Sequence, residues 1–114
     1  KMPMQVIVES RHAEGEAIRS MAEDRLRFVL RRLAWRIPRA RLRLLDTNGP
    51  RGGVDKKVLV ELRLDGLQPV VVSATSADWR SAMDTAIDRA AQALLRTCRR
   101  AREATSMPRP EFQT

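Results

Sequence analysis

Residues 39–44, Arg39-Ala40-Arg41-Leu42-Arg43-Leu44, alternate strictly between basic and apolar side chains. A period of two belongs to a half-buried β-strand. Ala40, Leu42 and Leu44 then face a core, and Arg39, Arg41 and Arg43 form a ladder on the open face. The alternation returns at Val58, Val60, Leu62 and Leu64, which predicts a second strand downstream. Between the two, residues 46–55 contain Asn48-Gly49-Pro50-Arg51-Gly52-Gly53, the composition of a loop. Asp65-Gly66 signals a hairpin turn. Residues 68–75, centred on Val70-Val71-Val72, predict a further strand, and Pro69 near its start suits a sheet edge.

Outward from this core of strands, residues 4–9 (Met4-Gln5-Val6-Ile7-Val8-Glu9) read as a short β-branched strand with Val6 and Val8 inward. Ile18, Ala22, Leu26, Val29, Leu30 and Leu33 recur at steps of three and four, predicting a helix over 15–36 that Pro38 ends. Glu23 and Asp24 are both placed to pair with Arg27. Trp79, Met83, Ala86, Ile87, Ala90 and Leu94 form the stripe of a last helix, capped by Ser76 or Asp78 and running to about residue 103. Residues 104–114 hold two prolines and no periodicity, and are expected to be a loose tail to a single domain spanning 1–103. The order is βαβββα. A right-handed crossover returns the second strand parallel to the first, and hairpins reverse the next two. The expected fold is therefore α+β: a four-stranded sheet with two parallel helices on one face. The basic C-terminal ends of both helices, and Arg39 entering its strand, converge on one edge.

The 114 residues suit one domain, and 43% apolar residues suit a packed core rather than a disordered chain. No apolar run approaches the ~18 residues of a membrane span, and no signal peptide is visible. Lys1 ahead of Met2 marks an added residue or a piece of a longer chain. A single cysteine allows no internal disulfide, and a cytoplasmic protein with no membrane contact is expected.

The net charge is +8, carried by 19 Arg and 3 Lys against 14 acids. It is not spread evenly. Residues 25–43 contain eight Arg and no acid, residues 96–103 carry +3, and the remaining segments roughly cancel. A general bias toward arginine does not produce two such blocks. A polyanion-binding face does, and nucleic acid is its simplest partner. In the last helix, Arg89, Arg96 and Arg100 are separated by seven and eleven residues, which return to nearly the same helix angle. Arg25, Arg32 and Arg36 repeat that spacing in the first helix. Guanidinium groups in such a row can bind successive phosphates bidentately. The competing explanation is a solvated face favoured by the helix dipole. The ladder of Arg39, Arg41 and Arg43 repels itself unless acids or phosphates intervene, and Glu61 is placed to neutralise one rung.

Catalysis has little to stand on. His12 and Cys98 are each the sole residue of their type, too few for a zinc set from one chain. Cys98, near an apolar stripe, is expected to be structural. Asp84 and Asp88 lie one turn apart, with Arg80 and Arg89 as the expected salt partners. The glycine loop with Arg51, Lys56 and Lys57 lacks the G-x-x-x-x-G-K-S/T pattern of a nucleotide site. No enzyme activity, cofactor, metal or small-molecule substrate is expected. Trp35 and Trp79 are read as core or rim packing residues rather than base-stacking platforms, because aromatics at 4% give little support to stacking readout of single strands.

The βαβββα order, the opening Met4-Gln5-Val6-Ile7-Val8 and the helix start Asp78-Trp79-Arg80-Ser81-Ala82-Met83-Asp84 together resemble the ribosome hibernation-promoting factors, also called the ribosome-associated inhibitor or sigma-factor modulation family. The resemblance covers about residues 4–103. The family's last helix opens D-x-Y-x-A-I-D, and Asp78, Ala82, Met83, Asp84 and Arg89 fill matching positions. Arg80 stands where the family has tyrosine, and Gln92 where it has arginine. The resemblance implies a domain like double-stranded RNA-binding folds. It also implies docking on small-subunit rRNA, in the channel used by messenger and transfer RNA, with translation blocked as part of a stress response. A short form without the family's C-terminal dimerisation domain is expected. The residues expected to contact RNA are Arg25, Arg32, Arg36, Arg39, Arg41, Arg43, Arg89, Arg96, Arg99 and Arg100. A nucleic-acid module acting off the ribosome, or a protein-interaction module regulating transcription, would be the alternatives.

Overall fold

In a computed structural model, which describes residues 4–10, 15–46 and 56–106, the chain forms β1 (Gln5–Ser10), α1 (Gly15–Val29), a 3₁₀ turn (Ala34–Arg36), β2 (Arg39–Asp46), β3 (Lys56–Arg63), β4 (Val70–Ser76) and α2 (Trp79–Ser106). The four strands make one sheet in the order β1-β2-β3-β4. β1 and β2 are parallel, and β2-β3 and β3-β4 are antiparallel. β4 is an edge strand, so Pro69 costs no ladder hydrogen bond.

The register places Val8, Leu42, Val60 and Val72 in one row across the sheet, with Val6, Ala40, Leu62 and Val70 in the next. This face is the core side, and both helices cover it. Leu26 and Leu30 come from α1 and its end. Met83, Ile87 and Leu94 come from α2. All are buried together with Leu42, Leu44, Val58, Val60 and Leu62. Each such side chain contributes about 1.5–3 kcal/mol by leaving water.

The helices run in the same direction. Arg25 Nε lies 3.2 Å from Asp84 Oδ1, and Arg36 Nη1 lies 3.9 Å from Cys98 Sγ, so later residues of the first segment meet later residues of α2. Together the two contacts bring the basic C-terminal segments to the same end of the domain, beside the start of β2.

Asp78 caps α2. Its Oδ1 accepts a 2.7 Å hydrogen bond from Ser81 N, and its Oδ2 accepts one from Ser81 Oγ at 3.3 Å. The Ser81 backbone bond, followed by its hydroxyl and the nearby Arg80 charge, holds the Asp78 carboxyl below the ordinary carboxylate range. The helix continues to Ser106, three residues into the segment expected to be tail. Residues 107–114 and most of the glycine loop lie outside the described residues, as does His12.

α1 departs from the sequence expectation. It ends at Val29, and the chain does not continue as one helix to residue 36. Leu30 N still donates to Leu26 O, but Arg31 N turns to Phe28 O, Leu33 N to Leu30 O, Arg36 N to Leu33 O and Ile37 N to Ala34 O. The hydrogen-bond step has tightened from four residues to three, a common way for a helix to finish. Two causes are local. Arg27-Arg31 and Arg32-Arg36 are like-charged pairs at i,i+4, which oppose further α-helix. Pro38 also drives Ile37 out of the helical region, to φ −116° and ψ 89°. The tightened path buries Ile37 completely and delivers Gln5 N to Pro38 O at 3.0 Å, starting the parallel pairing.

Candidate nucleic-acid interface

The expected arginines separate into two groups. The first is the ladder on the open sheet face. Arg41 and Arg43 sit in rows with Glu61 and Glu9, on the side away from the helices. Arg43 Nε contacts Glu9 Oε1 at 3.1 Å. Arg41 lies 3.9 Å from both Glu9 and Glu61. Arg41 Nε is itself screened from solvent and makes no hydrogen bond, so its attraction to the acids is coulombic. Sequence alone suggested Glu61 as a partner. Glu9 was missed, because its position opposite Arg43 depends on the parallel β1-β2 register, which no local pattern encodes. Each of these half-exposed pairs contributes about 0–1 kcal/mol. Arg39 differs: it pairs directly opposite Arg63 across β2-β3, and among the described residues neither has an acidic partner within ion-pair distance.

The second group lies at the C-terminal end of the helices. Arg96, Arg99 and Arg100 are exposed on α2. Among the described residues none has a hydrogen-bond or ion-pair partner. Beyond Cys98, where α2 meets Arg36, the helix continues for eight residues, roughly 12 Å at 1.5 Å per residue. Arg99 and Arg100 are on this projecting stretch. Arg32 is exposed in the turn after α1, and Arg36 stands in the 3₁₀ turn. Arg25, Arg32 and Arg36 therefore do not form one helical row. Arg25 is up the helix, tied to Asp84, while Arg32 and Arg36 join the α2 arginines by tertiary packing.

The acids of α2 are also not paired as expected. Asp84 pairs with Arg25 rather than Arg80. Arg89 donates from Nη1 to the Ser73 carbonyl on the edge strand at 2.8 Å, and not to Asp88. Arg89 still shares its helix face with Arg96 and Arg100, but it clamps α2 to β4. Arg27 pairs with Glu23 at 3.3 Å and also reaches Met4 O at 3.0 Å.

The two tryptophans part company. Trp79 is 7% exposed and belongs to the core, with Lys56 Nζ 5.7 Å from its ring centre. Trp35 is 60% exposed and stands outside the core, at its rim. The arginine beside it covers its ring, with Arg36 Cζ 4.9 Å from the centroid. Phe28 is also exposed and lies under Arg31 at 4.2 Å. A sequence signal existed: Trp35 falls off the Leu26-Leu30-Leu33 stripe.

The structure is an α+β domain with two parallel helices on one face of a four-stranded sheet. No family model and no curated protein sequence matches the chain. Solved structures do share its fold. The N-terminal domain of Thermus thermophilus Protein Y matches with a TM-score of 0.60 and 24% identity, covering 83% of this chain and 98% of that one. A ribosomal subunit interface protein from Coxiella burnetii matches with a TM-score of 0.59 and 17% identity, over 83% and 96% of the two chains. At these identities the likeness is one of fold, and the α+β fold expected from the sequence is the fold observed.

Proposed function

We propose that this protein is a cytoplasmic ribosome-associated factor that binds small-subunit rRNA and obstructs translation by occupying space, without catalysing a reaction. One observation carries this: Arg96, Arg99 and Arg100 of α2, which make no ion pair among the described residues, lie at the same end of the domain as Arg32, Arg36 and Arg39, in a fold shared with a ribosomal subunit interface protein. Guanidinium groups without acidic partners are available to phosphates, and a planar fork matches phosphate geometry bidentately. RNA duplexes offer shape and backbone more than readable base edges, which fits a rigid, arginine-studded end. α2 presents the charge on a single stiff rod, and the Arg36–Cys98 contact fixes the second basic segment against it.

The mechanism needs only neutralisation and exclusion. Each phosphate contact releases condensed counterions, so affinity should fall steeply with salt. The experiment is sedimentation of the protein with purified small subunits at low and high salt, paired with a reconstituted translation assay. Comigration at low salt, release at high salt and suppressed translation are expected. Binding indifferent to molar salt, or full translation at saturating protein, would overturn the proposal. Retention on free duplex alone would assign the arginines to a partner off the ribosome.

A further inference from the structure

Trp35 is a large aromatic side chain held in the open, and its surroundings say what it is for. The 3₁₀ turn that carries it is anchored on three sides. Ile37 is fully buried beneath it. The Arg36 carbonyl accepts a hydrogen bond from Asp65 N in the β3-β4 connection at 3.3 Å. The Arg36 side chain reaches Cys98 on α2. The tight hydrogen-bond step points Leu33, Ala34 and Ile37 inward and leaves Trp35 outward. The ring is thus on a rigid support, with a guanidinium already over it.

We propose that Trp35 is a stacking platform for one unpaired nucleobase of an RNA strand whose phosphates are held by the neighbouring arginines. This rests on the RNA-binding proposal above and adds a base contact to a backbone-binding end. Every base has a π-face, so an indole accepts any of them without sequence preference. Arg36 completes the site as a cation–π partner and supplies positive charge beside the stacked base. A second copy of the chain is the less suitable occupant, because Arg36 covers the ring, Arg31 and Arg32 precede it by four and three residues, and a like-charged surface would be repelled.

The chain contains two tryptophans and no tyrosine, and Trp79 is buried. Both rings emit, but of the two only Trp35 is open to a stacking base, so a quench present in wild type and absent in Trp35→Leu reports on Trp35. The full chain is titrated with oligoadenylate RNA of about eight nucleotides, within the usual ~4–16 nucleotide site sizes, and with an abasic ribose-phosphate oligomer of equal charge. Quenching by the adenylate alone is expected, with roughly tenfold tighter binding than the abasic oligomer. Trp35→Leu should remove the difference and leave abasic binding unchanged, while Trp35→Phe keeps most of it. Melting temperatures of both variants are compared with wild type. Should Trp35→Leu fail to fold, the two-oligomer comparison on wild type and Trp35→Phe decides the matter.

Equal affinity for the two oligomers overturns the stacking site but not the phosphate-binding end. Failure of both oligomers to bind overturns the stacking site too, while the RNA-binding proposal is decided separately by sedimentation with small subunits. Loss of a concentration-dependent dimer in Trp35→Leu, with RNA binding intact, would give the ring to a second copy and overturn the proposal.

Discussion

The open sheet face and the C-terminal end of the helices are similarly rich in arginine, yet they are chemically different surfaces. On the sheet, Glu9 and Glu61 sit among Arg41 and Arg43, and the ladder closes on itself. At the helix end, Arg96, Arg99 and Arg100 make no ion pair among the described residues. Density of charge alone does not mark a binding surface. The unpaired fraction does, because a guanidinium already sharing a carboxylate must give up that contact before it can gain a phosphate. Arg39 and Arg63 lie at the boundary, facing each other at the strand ends nearest the helix C-termini. Positive charge is thus compensated toward one end of the sheet and uncompensated toward the other.

The comparison breaks most clearly by deletion. Changing Arg96, Arg99 and Arg100 together to Gln should weaken RNA or small-subunit binding roughly a hundredfold and reduce the salt slope by about two to three units, at ~0.7–0.9 per phosphate contact. The melting temperature should stay near wild type, because all three side chains are exposed and no cavity opens. The matching change of Arg41 and Arg43 to Gln should alter affinity only slightly. Equal losses from the two variants would erase the distinction between the faces. Unchanged affinity in the helix variant would mean that this end is merely solvated.

A smaller effect sharpens the comparison from the other side. Changing Glu9 and Glu61 to Gln should uncover the ladder. Nonspecific RNA affinity should rise a fewfold, and the salt slope should grow by about one unit for each arginine that gains a phosphate. Stability should fall by no more than about 1–2 kcal/mol in total, since these are half-exposed pairs worth ~0–1 kcal/mol each. A variant that binds RNA no better than wild type would show that the sheet face cannot reach the nucleic acid at all.

Most of the architecture was legible in the sequence because alternation and helical periodicity report burial directly. Ala40, Leu42 and Leu44, then Val58, Val60 and Leu62, face the core as their spacing requires. The parallel helices followed from element order and are borne out by the Arg25–Asp84 and Arg36–Cys98 contacts. What stayed hidden was set by tertiary geometry. Leu30 and Leu33 are three apart, a step that an α-helix and a 3₁₀ turn both satisfy, so the change of helix type after Val29 left no mark in the apolar pattern. That change moved Arg32 and Arg36 out of the row with Arg25. Glu9 could not be matched to Arg43 without knowing how the crossover sets the parallel register. The charge blocks were therefore visible, while the pairing within them was not.

The last test concerns the far end of α2, where charge has a purely structural task. Asp78 accepts the Ser81 N–H at the helix start, and this bond depresses its folded pKa below the unfolded value. A carboxyl with a depressed folded pKa stabilises above its unfolded pKa, and the stabilisation is lost as pH falls through the folded pKa. Asp78→Ala should lower the melting temperature at neutral pH, and its deficit should shrink steadily below about pH 4, near the ordinary aspartate value. Asp78→Asn retains an acceptor that caps well, so it should lie close to wild type and show little of this pH dependence. RNA affinity at neutral pH should be unchanged in both variants, because the cap is at the opposite end of the helix from Arg96, Arg99 and Arg100. A deficit in Asp78→Ala that stays constant into strong acid would mean the carboxylate charge contributes nothing to the cap. A fall in RNA affinity would mean that the two ends of α2 are not independent, and that the contrast between paired and unpaired charge is too simple.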